Sequence, residues 1–323
     1  MTAPLVWVLL GARTGDNNQA LALAEALGWP FEVKQLDYNA LQSLSVWLPP
    51  TAATLTAAAK EGLRSPWPDL VIAIGRRSVP VARWIKRESG GKAKVVRIGH
   101  PRVDPSRFDL VVTTRQYPVP AGNNVVLLPV AMSRFTEPVV PNEAEEKFLA
   151  EAKRFRLVAV GGATKYWELP EKRIVAAIQT PFDGSVVVVT SRRTDPAIVK
   201  RLRELASERI KLVAGSSPRF ALLLDRAAEI FVTGDSISMI SEAVLTGNPV
   251  AIIPIEQDER GQRKLGPQPK ERGRGSRRRD LRRFWNYLIE QGLAGTADTG
   301  PLAARSVPDP NAIAAEAVRK LFS

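Results

Sequence analysis

The sequence contains no cysteine and a single histidine, His100, among its 323 residues. The absence of cysteine excludes disulfides, thiolate nucleophiles and cysteine metal sites, and one histidine cannot form a histidine-based metal centre. Magnesium bound by carboxylates stays open, but no sequence signature indicates it. We expect no metal site and no cofactor.

The sequence also lacks a hydrophobic run of the roughly 18 residues needed to span a bilayer. The first segment, MTAPLVWVLLGARTGD, has an apolar run of only LVWVLL and no basic residues before it, which favours a buried strand over a signal peptide. These features predict a cytoplasmic protein. The formal net charge of +13 predicts an anionic partner, either a nucleotide, a nucleic acid or an acidic lipid surface, although a generically basic surface would give the same value.

Short apolar runs alternate with helix-like segments in the first part of the chain. LVWVLLG at 5–11 precedes a predicted helix at 16–28, which an Asp or Asn would cap and Gly28 would end. The later runs PDLVIAIG, KVVRIGHP, DLVVTTRQ and NNVVLLPVAM continue the pattern. Because these runs are continuously apolar, they predict a parallel sheet with helices on both faces.

The alternation pauses at 133–155, which is charged and rich in proline, and restarts with RLVAVGG and SVVVVTS. We therefore predict an α/β protein with two Rossmann-like, doubly wound parallel-sheet domains that face a central cleft, where ligands of such sheets bind. The predicted boundaries are 1–137 for the first domain, 138–155 for a linker and 156–308 for the second domain. A carboxyl-terminal helix at 309–323 is predicted to pack back on the first domain.

Glycines, hydroxyls and basic residues follow two strands of the second domain, in VGGATK and TSRRT. Paired glycines let a ligand approach the backbone, and the cationic side chains suit phosphate groups. Either loop alone could be solvated, but two such loops at one sheet edge favour a diphosphate site. The predicted residues are Gly161, Gly162, Thr164, Lys165, Ser191, Arg192, Arg193 and Thr194.

A third strand of this domain leads into a short predicted helix within TGDSISMISEAVLTGNPVAIIP at 233–254. Hydroxyls near a helix N-terminus suit a phosphate, and a carboxylate one turn later can accept two sugar hydroxyls. In the alternative interpretation Ser236 only caps the helix and Glu242 is a surface charge. The candidate donor-binding residues are Asp235, Ser236, Ser238, Met239 and Glu242.

The first strand of the chain ends in GARTGDNNQ, which supplies acceptor-side candidates. These are Gly11, Gly15, Asn17 and Gln19. Asp16 is a candidate general base, with helix capping as the alternative. His100 also follows a strand and is a second catalytic candidate, although a lone histidine is more often structural.

The basic segment at 256–283 and the helix after it allow three interpretations. The segment could be a solvated face, or bind nucleic acid, although no nucleic-acid motif accompanies it. It could also lie on an anionic membrane, with Phe284, Trp285, Tyr287 and Leu288 as interfacial anchors. We favour the membrane or an anionic acceptor, contacted by Arg277, Arg278, Arg279, Arg282, Arg283 and Trp285.

GARTGDNNQALALAEALG, PRVDPSRFDLVV, VGGATKYW and GDSISMISEAVLTGNPV together resemble the ELM1-like family over nearly the whole chain. The resemblance implies a GT-B-like architecture, with the acceptor in the first domain and a nucleotide sugar in the second. It implies that Ser236, Ser238 and Glu242 contact the diphosphate and ribose, and it places Asp16 in the acceptor-side catalytic region. Two positions depart from the family: Gln116 and Tyr117 follow FDLVV where a proline and a His-Asp pair are expected, and Trp285 replaces a histidine.

The leading hypothesis is a metal-independent GT-B glycosyltransferase at the cytoplasmic face of the inner membrane. It would move a sugar from a nucleotide-diphosphate sugar to a membrane-associated, lipid-linked or cell-envelope acceptor. The alternative is a non-catalytic GT-B-like scaffold or recruitment protein, which the missing histidines favour. The hypothesis that the protein binds nucleic acid rests on its net charge alone.

Overall fold

The computed structural model describes residues 3–45, 47–135, 139–213, 215–269, 278–303 and 306–323. The chain divides into two compact units. Unit 1 comprises the described residues of 1–134, 271–279 and 308–323, and unit 2 comprises those of 135–270 and 280–307. None of the described helices combines the length and the hydrophobicity that a bilayer crossing requires.

Unit 1 contains six strands, β1 Val6–Leu10, β2 Phe31–Gln35, β3 Leu70–Ile74, β4 Lys94–Ile98, β5 Leu110–Thr113 and β6 Val125–Leu127. They form one parallel sheet in the order β2-β1-β3-β4-β5-β6. Successive residues of β1 pack on opposite faces, Val8 in one buried cluster and Trp7 in another. Both faces are covered, which explains the continuously apolar runs.

The helices of unit 1 are α1 Thr14–Leu27, α2 Ala57–Glu61, α3 Ser78–Glu88 and α11 Pro310–Arg319, with short 3-10 helices at Ala40–Leu44 and Pro105–Arg107. Asp309 caps α11, and Pro310 occupies its first turn. Ala314 of α11 is buried in the same cluster as α1. The Asn311 amide donates to the Ser133 carbonyl at 2.7 Å and accepts from its N–H at 3.2 Å. The last helix of the chain is therefore part of unit 1.

Unit 2 repeats the architecture with β7 Phe155–Val160, β9 Ser185–Thr190, β10 Ile210–Val213, β11 Glu229–Thr233, β12 Val250–Ile253 and β14 Gly295–Thr296. These strands form a parallel sheet in the order β10-β9-β7-β11-β12-β14. The short strands β8 Trp167–Glu168 and β13 Glu256–Gln257 pair antiparallel. The helices of unit 2 are α4 Glu143–Ala152, α5 Glu171–Gln179, α6 Pro196–Glu204, α7 Phe220–Arg226, α8 Ile237–Leu245, α9 Glu259–Leu265 and α10 Arg282–Glu290.

The structure differs from the sequence predictions in four places, two at domain boundaries and two in local structure. Residues 139–155 are integrated into unit 2, because Asn142 caps α4 and the buried Glu145 pairs with Arg219 at 2.6 Å. Residues 278 and 279 group with unit 1, and 259–265 form a helix rather than a loop. Arg13, without a side-chain cap bond, precedes α1, so the predicted Asp or Asn cap is wrong, whereas Gly28 ends that helix with a φ of 67° as predicted.

Candidate functional site

The carboxyl ends of β9, β7 and β11 lie side by side in the unit 2 sheet, and hydrogen bonds join the loops that follow them. The Gly161 N–H donates to Thr233 Oγ1 at 2.8 Å, and the Gly162 N–H donates to Asp235 Oδ2 at 3.0 Å. Thr194 Oγ1 donates to the Gly161 carbonyl at 2.6 Å. The three loops that carry the predicted diphosphate site therefore meet at one edge.

The Asp235 carboxylate lies at the centre of this network. Its side chain is completely buried, and it accepts hydrogen bonds from Thr233 Oγ1 at 2.7 Å and Arg193 Nη2 at 2.9 Å, in addition to the Gly162 N–H. Thr194 is also buried and bonded to backbone carbonyls. The structure assigns Asp235 and Thr194 to positioning the loops, in place of the ligand contacts that the sequence predicted.

Two glycines are required where the loops approach each other. A Cβ on Gly161 would collide with the Asp235 carboxylate, and a Cβ on Gly162 would collide with the Arg193 backbone. Both glycines are buried. Their first role is thus close packing of loop on loop, which brings their N–H groups to Thr233 and Asp235.

Lys165 stands on a tight turn in which the backbone N–H groups of Thr164 and Trp167 each donate to the other residue's carbonyl, at 3.1 and 2.9 Å. Tyr166 completes the turn with a φ of 78°, a strained value for a side chain other than glycine. The Tyr166 carbonyl packs directly on Gly261 of α9, so that helix braces the turn from behind. Lys165 is exposed.

The loop after β9 presents a second exposed cation, Arg192. Ser191 Oγ accepts from the Arg193 N–H at 3.1 Å, and the Ser191 N–H donates to Thr194 Oγ1 at 2.9 Å, so this loop is internally bonded. The Arg193 side chain is half-exposed although its guanidinium pairs with Asp235. Lys165 and Arg192 thus supply exposed positive charge at the ends of neighbouring strands.

Helix α8 begins at the end of β11, at the same edge. Ser236 is its N-cap, and Ser236 Oγ accepts from the Met239 N–H at 3.4 Å, which is the capping role of the alternative interpretation. Ser238 and Glu242 are half-buried and lie one turn apart on one helix face. The positive end of the α8 dipole adds to the charge of the neighbouring loops.

Trp285 lies in the interior of unit 2. It is 6% exposed, its Nε1 donates to the Gly234 carbonyl at 3.0 Å, and its ring contacts that of Trp167 at a centroid distance of 5.5 Å. Phe284 and Leu288 are completely buried. The prediction that the apolar residues of α10 anchor the chain in a membrane is therefore wrong for these three side chains.

The arginines predicted to contact an anionic surface have different surroundings. Arg277 lies outside the described residues, Arg278 is exposed and Arg283 is half-buried. The Arg282 side chain is only 14% exposed and pairs with the buried Asp280 at 2.8 Å. Arg282 therefore stabilises the start of α10 and is not a surface contact.

In unit 1, the predicted acceptor-side residues at the end of β1 mostly bond to each other. The Asn17 amide donates to the Gly11 carbonyl at 2.7 Å and accepts from its N–H at 3.0 Å, and the Gln19 amide donates to the Gly15 carbonyl at 3.3 Å. Asn17 thus holds the turn between β1 and α1 in place. This bonding leaves Asp16 as the chemically distinctive group of the turn.

Asp16 lies beside the end of β3, with Oδ2 3.7 Å from where a Cβ on Gly75 would stand. Burial raises the pKa of Asp16, and Arg13, Arg97 and Arg279 oppose that rise by attraction. A carboxylate with a raised pKa and cationic neighbours is suited to accept a proton from a hydroxyl. The structure thus keeps Asp16 available for the role that the sequence predicted.

His100 lies beyond β4, and its Nδ1 accepts from the Arg102 N–H at 2.9 Å. Burial, together with repulsion from Arg102 and Arg97, lowers the pKa of His100 to about 4, so the ring is neutral at pH 7. The proton of the neutral ring is therefore on Nε2. The Tyr117 ring stands edge-on to it at a centroid distance of 6.0 Å.

Two residues near the carboxyl edges of the two sheets were not predicted from the sequence. Thr233, at the end of β11, bonds to both Gly161 and Asp235. Arg97, within β4, is 2% exposed. A charged residue inside the apolar run KVVRIGHP was the signal for Arg97, whereas a threonine at a strand end carries no comparable signal.

Residues 14–320 match the family model described as Mitochondrial fission ELM1. The chain is 24% identical over 293 residues to the uncharacterised protein RP120 of Rickettsia prowazekii, covering 76% of this chain and 82% of that protein. It is 29% identical over 220 residues to the mitochondrial fission protein ELM1 of Arabidopsis thaliana, covering 58% of this chain and about half of that protein, 51%.

Among solved structures, the chain is similar to UDP-N-acetylglucosamine 2-epimerase from Rickettsia bellii, with a TM-score of 0.51, 14% identity and coverage of 99% of this chain and 96% of that one. It is also similar to Arabidopsis thaliana UGT89C1 complexed with UDP-L-rhamnose, with a TM-score of 0.55, 12% identity and coverage of 99% and 94%. Two six-stranded parallel sheets with helices are thus the GT-B fold of glycosyltransferases and UDP-sugar epimerases. With the family model matched over 14–320, the chain belongs to the mitochondrial fission ELM1 family.

Proposed function

We propose that unit 2 binds a nucleotide-diphosphate sugar and that the protein transfers the sugar to an acceptor held by unit 1. The acceptor would be membrane-associated or part of the cell envelope. One observation carries the proposal: three loops at the carboxyl edge of the unit 2 sheet are locked together and present Lys165, Arg192 and the N-terminus of α8 at the same edge. Solved structures with this fold include a complex with a UDP-sugar.

In this proposal, the diphosphate lies against the exposed cations and the N-terminus of α8, which stabilise the negative charge that develops on it as its bond to the sugar breaks. Glu242 and Ser238, one turn apart, bind the ribose hydroxyls and a phosphate oxygen. The acceptor oxygen bonds to the anomeric carbon and loses its proton to Asp16, while the nucleoside diphosphate departs with the electron pair of the broken bond. Asp235 acts indirectly by holding Gly162 and Arg193.

A second candidate function is non-catalytic recruitment by a GT-B scaffold. The family description supports it, and so does Trp285, because its indole fills the space against Gly234 where the resemblance implied a histidine. In that case nucleotide binding would be absent or unconnected to sugar transfer.

Calorimetric titration with UDP and with other nucleoside diphosphates tests the donor site. We expect binding that weakens at least about tenfold in Glu242→Ala and in Lys165→Gln/Arg192→Gln, because each removes a direct polar contact. Arg201→Gln is the matched control, since Arg201 is an exposed residue on α6 that pairs with Glu204. Absence of binding by any nucleotide would overturn the proposal. Nucleotide binding without release of the nucleoside diphosphate from any nucleotide sugar would favour the scaffold.

A further inference from the structure

Five arginines gather near the carboxyl edge of the unit 1 sheet. Arg13 precedes α1, Arg76 follows β3, Arg97 lies within β4, Arg102 follows β4, and Arg279 lies over the Tyr117 ring at 5.9 Å. Among the described residues, none of the five has a carboxylate within 4.0 Å. We call these five residues the unit 1 arginine cluster.

Two buried arginines, Arg156 of unit 2 and Arg97 of unit 1, differ in whether a carboxylate pairs with them. Arg156 is 3% exposed, and its guanidinium pairs with Glu229 at 2.6 Å. Arg97 is 2% exposed, but its guanidinium donates to uncharged acceptors, Ser78 Oγ at 3.2 Å, the Ala73 carbonyl at 3.3 Å and the His100 carbonyl at 3.0 Å. These bonds fix the orientation of Arg97 and leave its charge unneutralised.

The arginines of the cluster repel one another electrostatically. Burial lowers the pKa of Arg102, and Arg76 and Arg279 lower it further by repulsion. Burial also lowers the pKa of Arg97 to about 10, with attraction from Tyr117 and Asp16 opposing the shift. The Asp16 carboxylate attracts Arg13, Arg97 and Arg279. Cations that share a single carboxylate destabilise one another unless an anion joins them.

Arg279 adds a direct indication of a missing partner. Its Nε is buried from solvent and donates to no acceptor among the described residues. A buried N–H without an acceptor is costly, and a guanidinium N–H is satisfied best by an anionic oxygen. A phosphate offers several such oxygens and about two negative charges, whereas a carboxylate offers two oxygens and one charge.

We propose that the unit 1 arginine cluster is an anion site for a phosphate group, and that the acceptor of the transfer reaction is a phosphate-bearing hydroxyl compound. The anion site stands independently of the transfer, but its identification with the acceptor rests on the proposed function. Asp16, the carboxylate in the cluster, would then face the acceptor hydroxyl while the arginines hold the phosphate.

Inorganic pyrophosphate is the probe, titrated calorimetrically into the full chain. The donor-site variant Lys165→Gln/Arg192→Gln serves as the background, so that binding by unit 2 does not obscure the result. We expect this background to bind pyrophosphate, and the added changes Arg102→Gln and Arg279→Gln to weaken binding at least about tenfold. Arg64→Gln on the same background is the control, since Arg64 precedes β3 and is exposed, and it should leave binding unchanged.

Circular dichroism and thermal unfolding confirm that each variant is folded. Unchanged pyrophosphate binding after loss of Arg102 and Arg279 would overturn the anion site. If the Arg102 and Arg279 variants lose pyrophosphate binding but the protein binds no nucleotide, the anion site is supported and only the proposed function is overturned.

Two further arms identify the source of the phosphate. Sedimentation uses phosphatidylcholine vesicles with and without phosphatidylinositol 4-phosphate, which carries both a phosphate and free hydroxyls, and titration uses glucose 6-phosphate. Binding to the phosphoinositide that depends on Arg102 and Arg279 identifies a lipid phosphate, and binding to the sugar phosphate identifies a soluble one. If neither probe binds in a manner that depends on these arginines, the assignment to an acceptor is overturned.

Discussion

The Trp285 indole donates its N–H to the Gly234 carbonyl at 3.0 Å and covers the Gly234 Cα so closely that a Cβ there would overlap the ring. This contact joins the start of α10 to the turn between β11 and α8. It replaces the surface role that the sequence predicted for Trp285 with a structural one.

Trp285→Ala should lower the free energy of unfolding by about 3–5 kcal/mol, because a buried ring is lost and the Gly234 carbonyl loses a donor. Trp285→Phe should cost less, since packing against Trp167 is largely kept. Urea denaturation followed by circular dichroism measures the difference. Trp47→Ala is the control, because Trp47 is 86% exposed. A Trp285→Ala protein as stable as the control would contradict the buried position.

Asp235→Asn should destabilise the protein by about 2 kcal/mol and weaken UDP binding. The amide cannot match the bonds from Gly162, Thr233 and Arg193 together, although Arg193 is half-exposed and water can solvate it. Denaturation and UDP titration measure the two effects. Asp298→Asn, at an exposed residue, should change neither. If Asp235→Asn left both unchanged, the network would not position the loops.

Gly161→Ala should lower stability by about 1–3 kcal/mol, because the methyl group forces the loop away from Asp235. Gly215→Ala is a matched control, since nothing lies within 4 Å of a Cβ there. Thermal unfolding and UDP titration on the pair give the comparison. Equal behaviour of the two variants would mean that close packing at Gly161 is not required.

His100 should make the protein acid-sensitive. The unfolded histidine has a pKa near 6.5 and the folded one about 4, so between these values the unfolded chain binds a proton that the folded chain does not. Stability should therefore fall by about 2 kcal/mol as the pH drops from 6.5 to 4, with no contribution above 6.5. Urea denaturation of the wild type and His100→Gln across this range tests it, and parallel profiles would exclude His100 as the cause.

Asp16 should affect the pH dependence of stability in the opposite direction to His100. Its pKa is raised by burial above the ordinary 3.8, so the folded chain holds the extra proton between the two values, and the charged form is a penalty at neutral pH. Asp16→Asn should stabilise the protein at pH 7, and the gain should shrink on acidification. The same variant should abolish sugar transfer while leaving UDP binding intact. An Asp16→Asn protein less stable than wild type at pH 7 would contradict the buried carboxylate.

The strand pattern was readable from the chain because the central parallel strands, such as β1, β3 and β7, are buried on both faces. Runs such as LVWVLLG and LVIAIG therefore contain no charged or hydroxyl-bearing residue, and loops with glycine, serine and arginine follow several of these strands. The division of the chain into two α/β domains and the choice of candidate site residues at the strand ends both followed from this local rule. The ending of α1 at Gly28 followed as well, since it depends on one residue's backbone preference.

Tertiary structure alone decided which polar residues face inward. Asp235 and Lys165 both follow strands in polar loops, yet Asp235 is buried under Gly161 and Arg193 while Lys165 is exposed. Trp285 likewise lies in an amphipathic, arginine-rich stretch that resembles a membrane-surface helix, and only Gly234 and Trp167 show that the indole is core. The type of each side chain and its order along the chain are local properties. Burial depends on which distant segment packs against it, and that segment is known only once the sheet has brought β7, β9 and β11 together.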